Sequence, residues 1–388
     1  MTQGLLADRL GRLAESSTLA LNARVKQMVA SGQAIFNLTA GELDSDTPVY
    51  IQKAVAGTLA LNKYTPVAGT PALREAIALH ANSFYAPHVF APAEVVVTGG
   101  AKPALSGAFL ALLNPGDEVI VPTPAWVSYR HLIELAGGIV VPVPLTKHWD
   151  LDVEAIAASL TPRTKAIIVN SPQNPTGSVF SGPAMKALSK LLAGLPVVVI
   201  ADDIYAKLVF TPSYRPISTY NFNPDRLVII NGFSKSQALT GWRIGYLLAP
   251  VAIAEAVTKL LSHSNGNAPV PGQQAALAAL AAGDVPEMLG TLKERRDLVA
   301  NTLKDIPEIT FELPGGAFYF LLDLQAVTRD TLLWCEKLLA DYHVALVPGE
   351  AFDAPGYARL SFAASNDTLE GGIAGIKKCV QNKEKQRA

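Results

Sequence analysis

The sequence predicts an α/β fold built on a mostly parallel central sheet, with a smaller α+β domain attached. Three observations carry this. From about residue 94, short Val/Ile-rich runs alternate with helix-length stretches rich in Ala, Leu and Lys. The runs are continuously apolar rather than alternating, which marks strands buried on both faces. After about residue 285 the texture shifts to a long charged stretch followed by aromatic runs, which marks the smaller α+β part.

In chain order the runs are Glu94-Val95-Val96-Val97-Thr98, Glu118-Val119-Ile120-Val121, Gly138-Ile139-Val140-Val141, Ala166-Ile167-Ile168-Val169, Val197-Val198-Val199-Ile200 and Leu227-Val228-Ile229-Ile230. Ile244-Gly245-Tyr246-Leu247-Leu248 reads as a further strand. Ligands in such sheets bind at the carboxyl ends of the strands, so the residues just after each run matter most. Next come a charged helix over 286–306 and strands at Ile309-Thr310-Phe311-Glu312-Leu313 and Ala317-Phe318-Tyr319-Phe320-Leu321. A helix near 331–341, two short strands and a last helix near 368–381 follow. The expected organisation is a large domain over 46–285 and a small one over 286–388, which the N-terminal segment 1–45 joins. No Gly/Ser linker or internal repeat is visible.

The 388 residues are 49% hydrophobic and 17% charged, so a sizeable core is expected. A formal net charge of −1 gives no reason to expect nucleic acid or an anionic membrane as partner. Residues 1–21 mix Asp8, Arg9, Arg12 and Glu15 with leucines and alanines, unlike a signal peptide. No apolar run has the length to span a bilayer. Two cysteines, Cys335 and Cys379, fit a reducing cytoplasm better than a disulfide framework. The six histidines are scattered and no metal site is expected.

The richest stretch is Asn231-Gly232-Phe233-Ser234-Lys235-Ser236-Gln237-Ala238-Leu239-Thr240-Gly241-Trp242-Arg243-Ile244-Gly245-Tyr246. A strand ends in small polar residues, then a lysine, then an arginine before the next strand. Such a lysine can reach a bound carbonyl and the arginine can hold an anion, which suggests a Schiff base to a phosphorylated aldehyde, pyridoxal phosphate. A solvated surface lysine is the plainer alternative.

Other residues after strand runs fit the same picture, each with a structural alternative. Gly99-Gly100-Ala101-Lys102 opens a helix whose N-terminus favours an anion, or is only a helix-start turn. Asn170-Ser171-Pro172-Gln173-Asn174-Pro175-Thr176-Gly177 is a rigid turn that would aim Asn174, or merely cap it. Asp202, Asp203 and Tyr205 end the fifth run. A carboxylate there suits a protonated pyridine nitrogen, and equally an N-cap or salt bridge. Trp126 can stack on a flat ring or sit in the core. Arg359, inside an apolar strand pattern, needs an anion: a substrate carboxylate or a structural partner.

Taken together, these residues resemble the class I (fold type I) aminotransferases, and within them the bacterial aspartate aminotransferase group. The likeness runs from about Thr18 to Ala363. It rests on Asn-Leu-Thr-Ala-Gly-Glu at 37–42, Lys-Tyr-Thr-Pro-Val-Ala-Gly at 63–69, Gly-Gly-Ala-Lys at 99–102, Asn-Ser-Pro-Gln-Asn-Pro-Thr-Gly at 170–177 and the stretch 235–246. The resemblance implies a fold type I enzyme with pyridoxal 5'-phosphate bound to Lys235, which also shuttles the substrate's proton. It implies that Asp202 pairs with the pyridine nitrogen, and that Asn174 and Tyr205 meet the ring's phenolic oxygen. Trp126 would stack on the ring. Gly100, Ala101, Lys102, Ser234 and Arg243 would surround the phosphate, with Tyr64 reaching the phosphate of a neighbouring subunit in a homodimer. Arg359 and Gly41 would hold the substrate α-carboxylate. Two departures stand out: Gly232 where many relatives have Ser, and Asp203 where Glu is usual.

The resemblance further implies an acidic substrate held through Lys102 and Thr18, hence transfer from L-aspartate to 2-oxoglutarate. No arginine occurs in 262–267, where another branch of the family places one. Donors of the aromatic, alanine or kynurenine kind stay open. Some relatives that accept prephenate carry a basic residue where this chain has Ala14, with Arg12 close by, which speaks against prephenate. Two other readings share the lysine: a carbon–sulfur β-lyase and a non-catalytic pyridoxal-binding sensor module. A nicotinamide-dependent dehydrogenase would fit the α/β pattern, but no dinucleotide fingerprint follows the first strand.

Overall fold

The computed structural model describes residues 7, 10, 11, 17–58, 60, 61, 63–283 and 285–385, with backbone only at 17–20, 22 and 383–385. The first strand, β1 (Phe36–Asn37), follows the helix Ser17–Ala30. Seven strands then form the central sheet: β2 (Val95–Thr98), β3 (Glu118–Thr123), β4 (Ile139–Pro144), β5 (Thr164–Asn170), β6 (Val198–Asp202), β7 (Leu227–Gly232) and β8 (Gly245–Leu248). Their spatial order is β2-β8-β7-β6-β5-β3-β4. Only β8 runs against its neighbours; the other pairings are parallel.

The apolar runs become strands because each sheet face has its own layer to bury against. Ile167, Val169, Val199 and Ala201 face one hydrophobic cluster. Ala166, Ile168, Val198 and Ile200 face another, with Leu105 and Phe109 of the helix Ala101–Leu112. At the end of β6 this alternation sends Asp202 and Asp203 to opposite faces. β4 departs from the two-faced expectation. It lies at the sheet edge, where Ile139 is 47% exposed. Pro142 and Pro144 suit that edge, since a proline has no N–H to give a ladder.

The chain leaves β3 for β4 on one side and returns to β5 on the other, so the order reverses at β3 and β5. A crevice opens beyond the carboxyl ends of strands at such a point.

The remaining strands are β9 (Tyr319–Asp323), β10 (Val344–Ala345), β11 (Val347–Pro348) and β12 (Tyr357–Ser361). β11, β12 and β9 form an antiparallel sheet in which Tyr319 faces Ser361 and Arg359 faces Leu321. β1 pairs in parallel with β10, and Val25 packs against Leu339 and Ala345. The helices Pro286–Leu303, Thr331–Tyr342 and Asn366–Lys385 cover this part. The strand expected at 309–313 does not form. Thr310 makes an isolated bridge to Asp323 on the edge of β9 that β12 leaves free, and no second pair extends it into a ladder. Among the described residues, no single helix is long and apolar enough to cross a membrane.

Candidate active site

A cavity of about 390 Å³ occupies the crevice beyond β3, β5, β6 and β7. Trp126 enters it after β3, Asn174 after β5, Asp202 and Tyr205 at the end of β6, and Ser234, Lys235 and Arg243 in the loop between β7 and β8. Ala101 and Lys102 line it from the first turn of their helix. Gly41, Tyr319 and Arg359 close it from the other side.

Asp202 is fully enclosed at the bottom. Its Oδ2 accepts a hydrogen bond from Tyr129 Oη at 2.7 Å and its Oδ1 one from the Ile204 N–H at 3.3 Å. Burial nevertheless wins, and its pKa is pushed up to about 6. Among the described residues, no Lys or Arg forms an ion pair with it. Asn170 braces the strand end, donating to the Asp202 carbonyl at 2.8 Å and accepting from the Asn174 N–H at 3.1 Å. On the far face, Asp203 is buried near Tyr85 and pushed up to about 7, chiefly by desolvation.

Lys235 donates through Nζ to the Gly41 carbonyl. Its pKa falls to about 8, first through desolvation, with Arg359 and Arg243 adding to the fall and Glu42 and Asp202 opposing it. Gly41, expected to offer an N–H to a carboxylate, here presents its carbonyl to the lysine.

Opposite lies a cradle for an anion. Gly100 caps the helix Ala101–Leu112 with φ +105°. A Cβ at Gly100 would stand 2.6 Å from Arg243 Nη2, so only glycine lets the guanidinium lie there. Arg243 itself adopts φ +51°, a left-handed conformation uncommon outside glycine and a mark of functional sites. The first-turn N–H groups of that helix have no helical acceptors of their own. Lys102 Nζ lies 5.1 Å from the centre of the Trp126 ring, and burial and Arg243 lower its pKa.

Arg359 is buried between two aromatic rings, 4.3 Å from Tyr319 and 4.9 Å from Phe352. Its Nη1 donates to Asn174 Oδ1 and its Nη2 to the Thr39 carbonyl, each at 2.9 Å. The Nε hydrogen has no partner. With Asn174 Oδ1 turned to Arg359, the Asn174 amide donors remain for the cavity. A buried guanidinium with a spare donor and, among the described residues, no carboxylate paired with it suits a carboxylate ligand.

One expected residue, Tyr64, is not brought together with the rest in the single chain, and the side chain of a second, Thr18, is not described. Tyr64 is 97% exposed and does not line the cavity of its own chain. Thr18 falls in the helix Ser17–Ala30, but its side chain, like Arg12 and Ala14, lies outside the described residues. Sequence reasoning missed Tyr129, Asn170, Thr39 and Tyr319. Asn170 had a signal, since it ends a strand run. The two tyrosines had none, because a tyrosine in a helix or strand looks like core. Among the described residues, no cluster of His, Cys, Asp or Glu is placed to hold a metal ion.

A family model described as aminotransferase class I and II matches residues 33–376. An aspartate aminotransferase of Thermotoga maritima is 40% identical over 377 residues, covering 96% of this chain and 98% of the relative. A probable aspartate/prephenate aminotransferase of Aquifex aeolicus is 39% identical over 394 residues, covering 97% of this chain and 98% of the relative. The crystal structure of aspartate aminotransferase from Thermotoga maritima matches with TM-score 0.92 at 40% identity, covering 97% of this chain and 100% of that one.

Proposed function

The chain belongs to the class I and II aminotransferase family, and on that footing we propose that it moves the amino group of L-aspartate to 2-oxoglutarate with pyridoxal 5'-phosphate as cofactor. One observation carries the reading. A lysine with lowered pKa, a buried carboxylate with no ion pair among the described residues and a buried arginine whose Nε has no partner among them converge on one cavity.

The residues fit the cofactor. The N–H groups of Ala101 and Lys102, with Ser234 and Arg243, form a cradle of the right charge for a phosphate. Asp202 would meet a protonated ring nitrogen, and that cation offsets the burial that raises its pKa. Trp126 offers a flat wall, and Asn174 and Tyr205 offer donors to a phenolic oxygen. When bound, the cofactor supplies a carbonyl for the amine and an aromatic sink for electrons.

The chain's own residues do the rest. With its pKa lowered to about 8 by burial, Lys235 is more readily neutral near neutral pH than an ordinary lysine. A neutral Nζ can attack a carbonyl, and once released it can take the proton from the substrate α-carbon. Arg359 holds the α-carboxylate and so orients that C–H bond. Lys102 supports an acidic donor, since it places a cation at the cavity wall. Tyr64, solvent-exposed in the single chain, supports a homodimer in which it reaches the partner's site. A cytoplasmic setting belongs to the same proposal, because Cys335 and Cys379 are buried thiols outside any disulfide.

The test is spectroscopic. Purified protein given pyridoxal phosphate should show a visible band, and L-aspartate without any oxo acid should convert it to the amine form. A band that ignores aspartate returns the donor to the aromatic, alanine, kynurenine or prephenate range. Ammonia and pyruvate as products would indicate a β-lyase. No band would refute the cofactor reading.

A further inference from the structure

Tyr319 has no role in the reading above, yet it meets both Tyr205 and Arg359 and lies close to Gly41. It is fully buried and opens β9. Its hydroxyl lies 3.0 Å from that of Tyr205, and the two rings meet edge-on at 5.8 Å. Its ring face carries the Arg359 guanidinium at 4.3 Å. The register explains this contact. Tyr319 faces Ser361 across the β9–β12 ladder, so Arg359, two residues away, is its diagonal neighbour on the same face. The hydroxyl also approaches Gly41, where an added Cβ would stand 3.8 Å from it, and Gly41 accepts from Lys235.

We propose that Tyr319 is the positioning residue that couples the two halves of the site: its hydroxyl orients Tyr205 toward the cofactor, and its ring seats Arg359 for the substrate carboxylate. The hydroxyl pair allows either donor direction. If Tyr319 donates to the Tyr205 oxygen, the Tyr205 hydrogen is free for an acceptor in the cavity, and the chain of two bonds makes Tyr205 a better donor. A phenolic oxygen placed there receives a stronger hydrogen bond. The ring works separately. A guanidinium out of water gains from an aromatic face, and Tyr319 with Phe352 supplies two.

The proposal rests on the cofactor reading, and the experiment separates the two. Tyr319→Phe keeps the ring and removes the hydroxyl; Tyr319→Leu removes both. Three quantities are read in wild type and variants: the pH midpoint of the visible band, the affinity of the loaded protein for the unreactive dicarboxylate succinate, and the thermal midpoint. Tyr319→Phe should move the pH midpoint up by roughly half a unit, because a weakened donor leaves the bound group easier to protonate. Its succinate affinity should stay within about twofold. Tyr319→Leu should show the same pH shift and also bind succinate roughly tenfold more weakly. An unmoved pH midpoint in the Phe variant refutes the hydroxyl role. Unchanged succinate affinity in a folded Leu variant refutes the ring role. If the Leu variant does not fold, the pH midpoint of the Phe variant decides the hydroxyl role, and succinate affinity of Tyr319→Met, which keeps bulk without a ring, decides the ring role in the same way. A wild-type protein with no visible band overturns the cofactor reading, and the coupling falls with it.

Discussion

A carboxylate buried as deeply as Asp202 is costly to ionise unless a cation meets it. Its pKa of about 6, against an ordinary 3.8, expresses that cost in the cofactor-free protein. The sign follows by linkage. Between those values the folded chain holds a proton that the unfolded chain has lost, so stability falls as pH rises from about 4 to about 6. Asp202→Asn cannot ionise. Its cofactor-free unfolding curve should therefore lose part of that slope, as chemical denaturation at several pH values would show. In the loaded enzyme the same change should lower kcat on the order of 10²- to 10³-fold, because the ring nitrogen loses its fixed counter-charge. A wild-type rate in Asp202→Asn would remove the carboxylate from the account. Asp202 and Arg359 were legible in the sequence because a charged residue at or inside an apolar run needs a partner, and Lys235 because it follows a strand end in small polar residues with Arg243 close behind. Tyr129 and Tyr319 were not, because their partners come from distant strands and helices and leave no local trace.

At the scale of elements, the site depends on β8 and the helix Ala101–Leu112 touching backbone to backbone. A Cβ at Gly245 would stand 2.6 Å from the Ala101 nitrogen and 2.6 Å from the Gly100 carbonyl carbon. Neither can retreat without moving the helix start that forms the anion cradle. Gly245→Ala should lower stability by roughly 1–3 kcal/mol and weaken pyridoxal phosphate binding. Gly241→Ala, with nothing within 4 Å of its Cβ, is the control and should change neither. Thermal midpoints and cofactor titrations of both would check this. The strands of the central sheet were readable because burial on two faces erases alternation and leaves plain Val/Ile runs. What the runs do not carry is the order of strands, so the exposed edge of β4 was not foreseen. Nor was the loss of a strand at 309–313, where Ile309 and Phe311 pack into the second core without a ladder to join, while Leu313 is exposed.

For the whole molecule, the sheet order matters more than any single motif. It places the ends of β3, β5, β6 and β7 side by side, so that residues from 126 to 243 in sequence line one cavity, which Thr39, Gly41, Tyr319 and Arg359 close from the other side. The five motifs noted in the sequence are separate in the chain, and the two parts of the fold together unite four of them at this cavity. The fifth, carrying Tyr64, faces solvent in the single chain and awaits a partner subunit in the proposed dimer. The claim at the centre is that one amine, among all the lysines of the chain, bonds the cofactor. Borohydride reduction of the protein loaded with pyridoxal phosphate, followed by digestion and mass spectrometry of every lysine peptide, tests it directly. A single stoichiometric adduct on Lys235 is expected. An adduct on Lys102 or elsewhere, or none on Lys235, would contradict it.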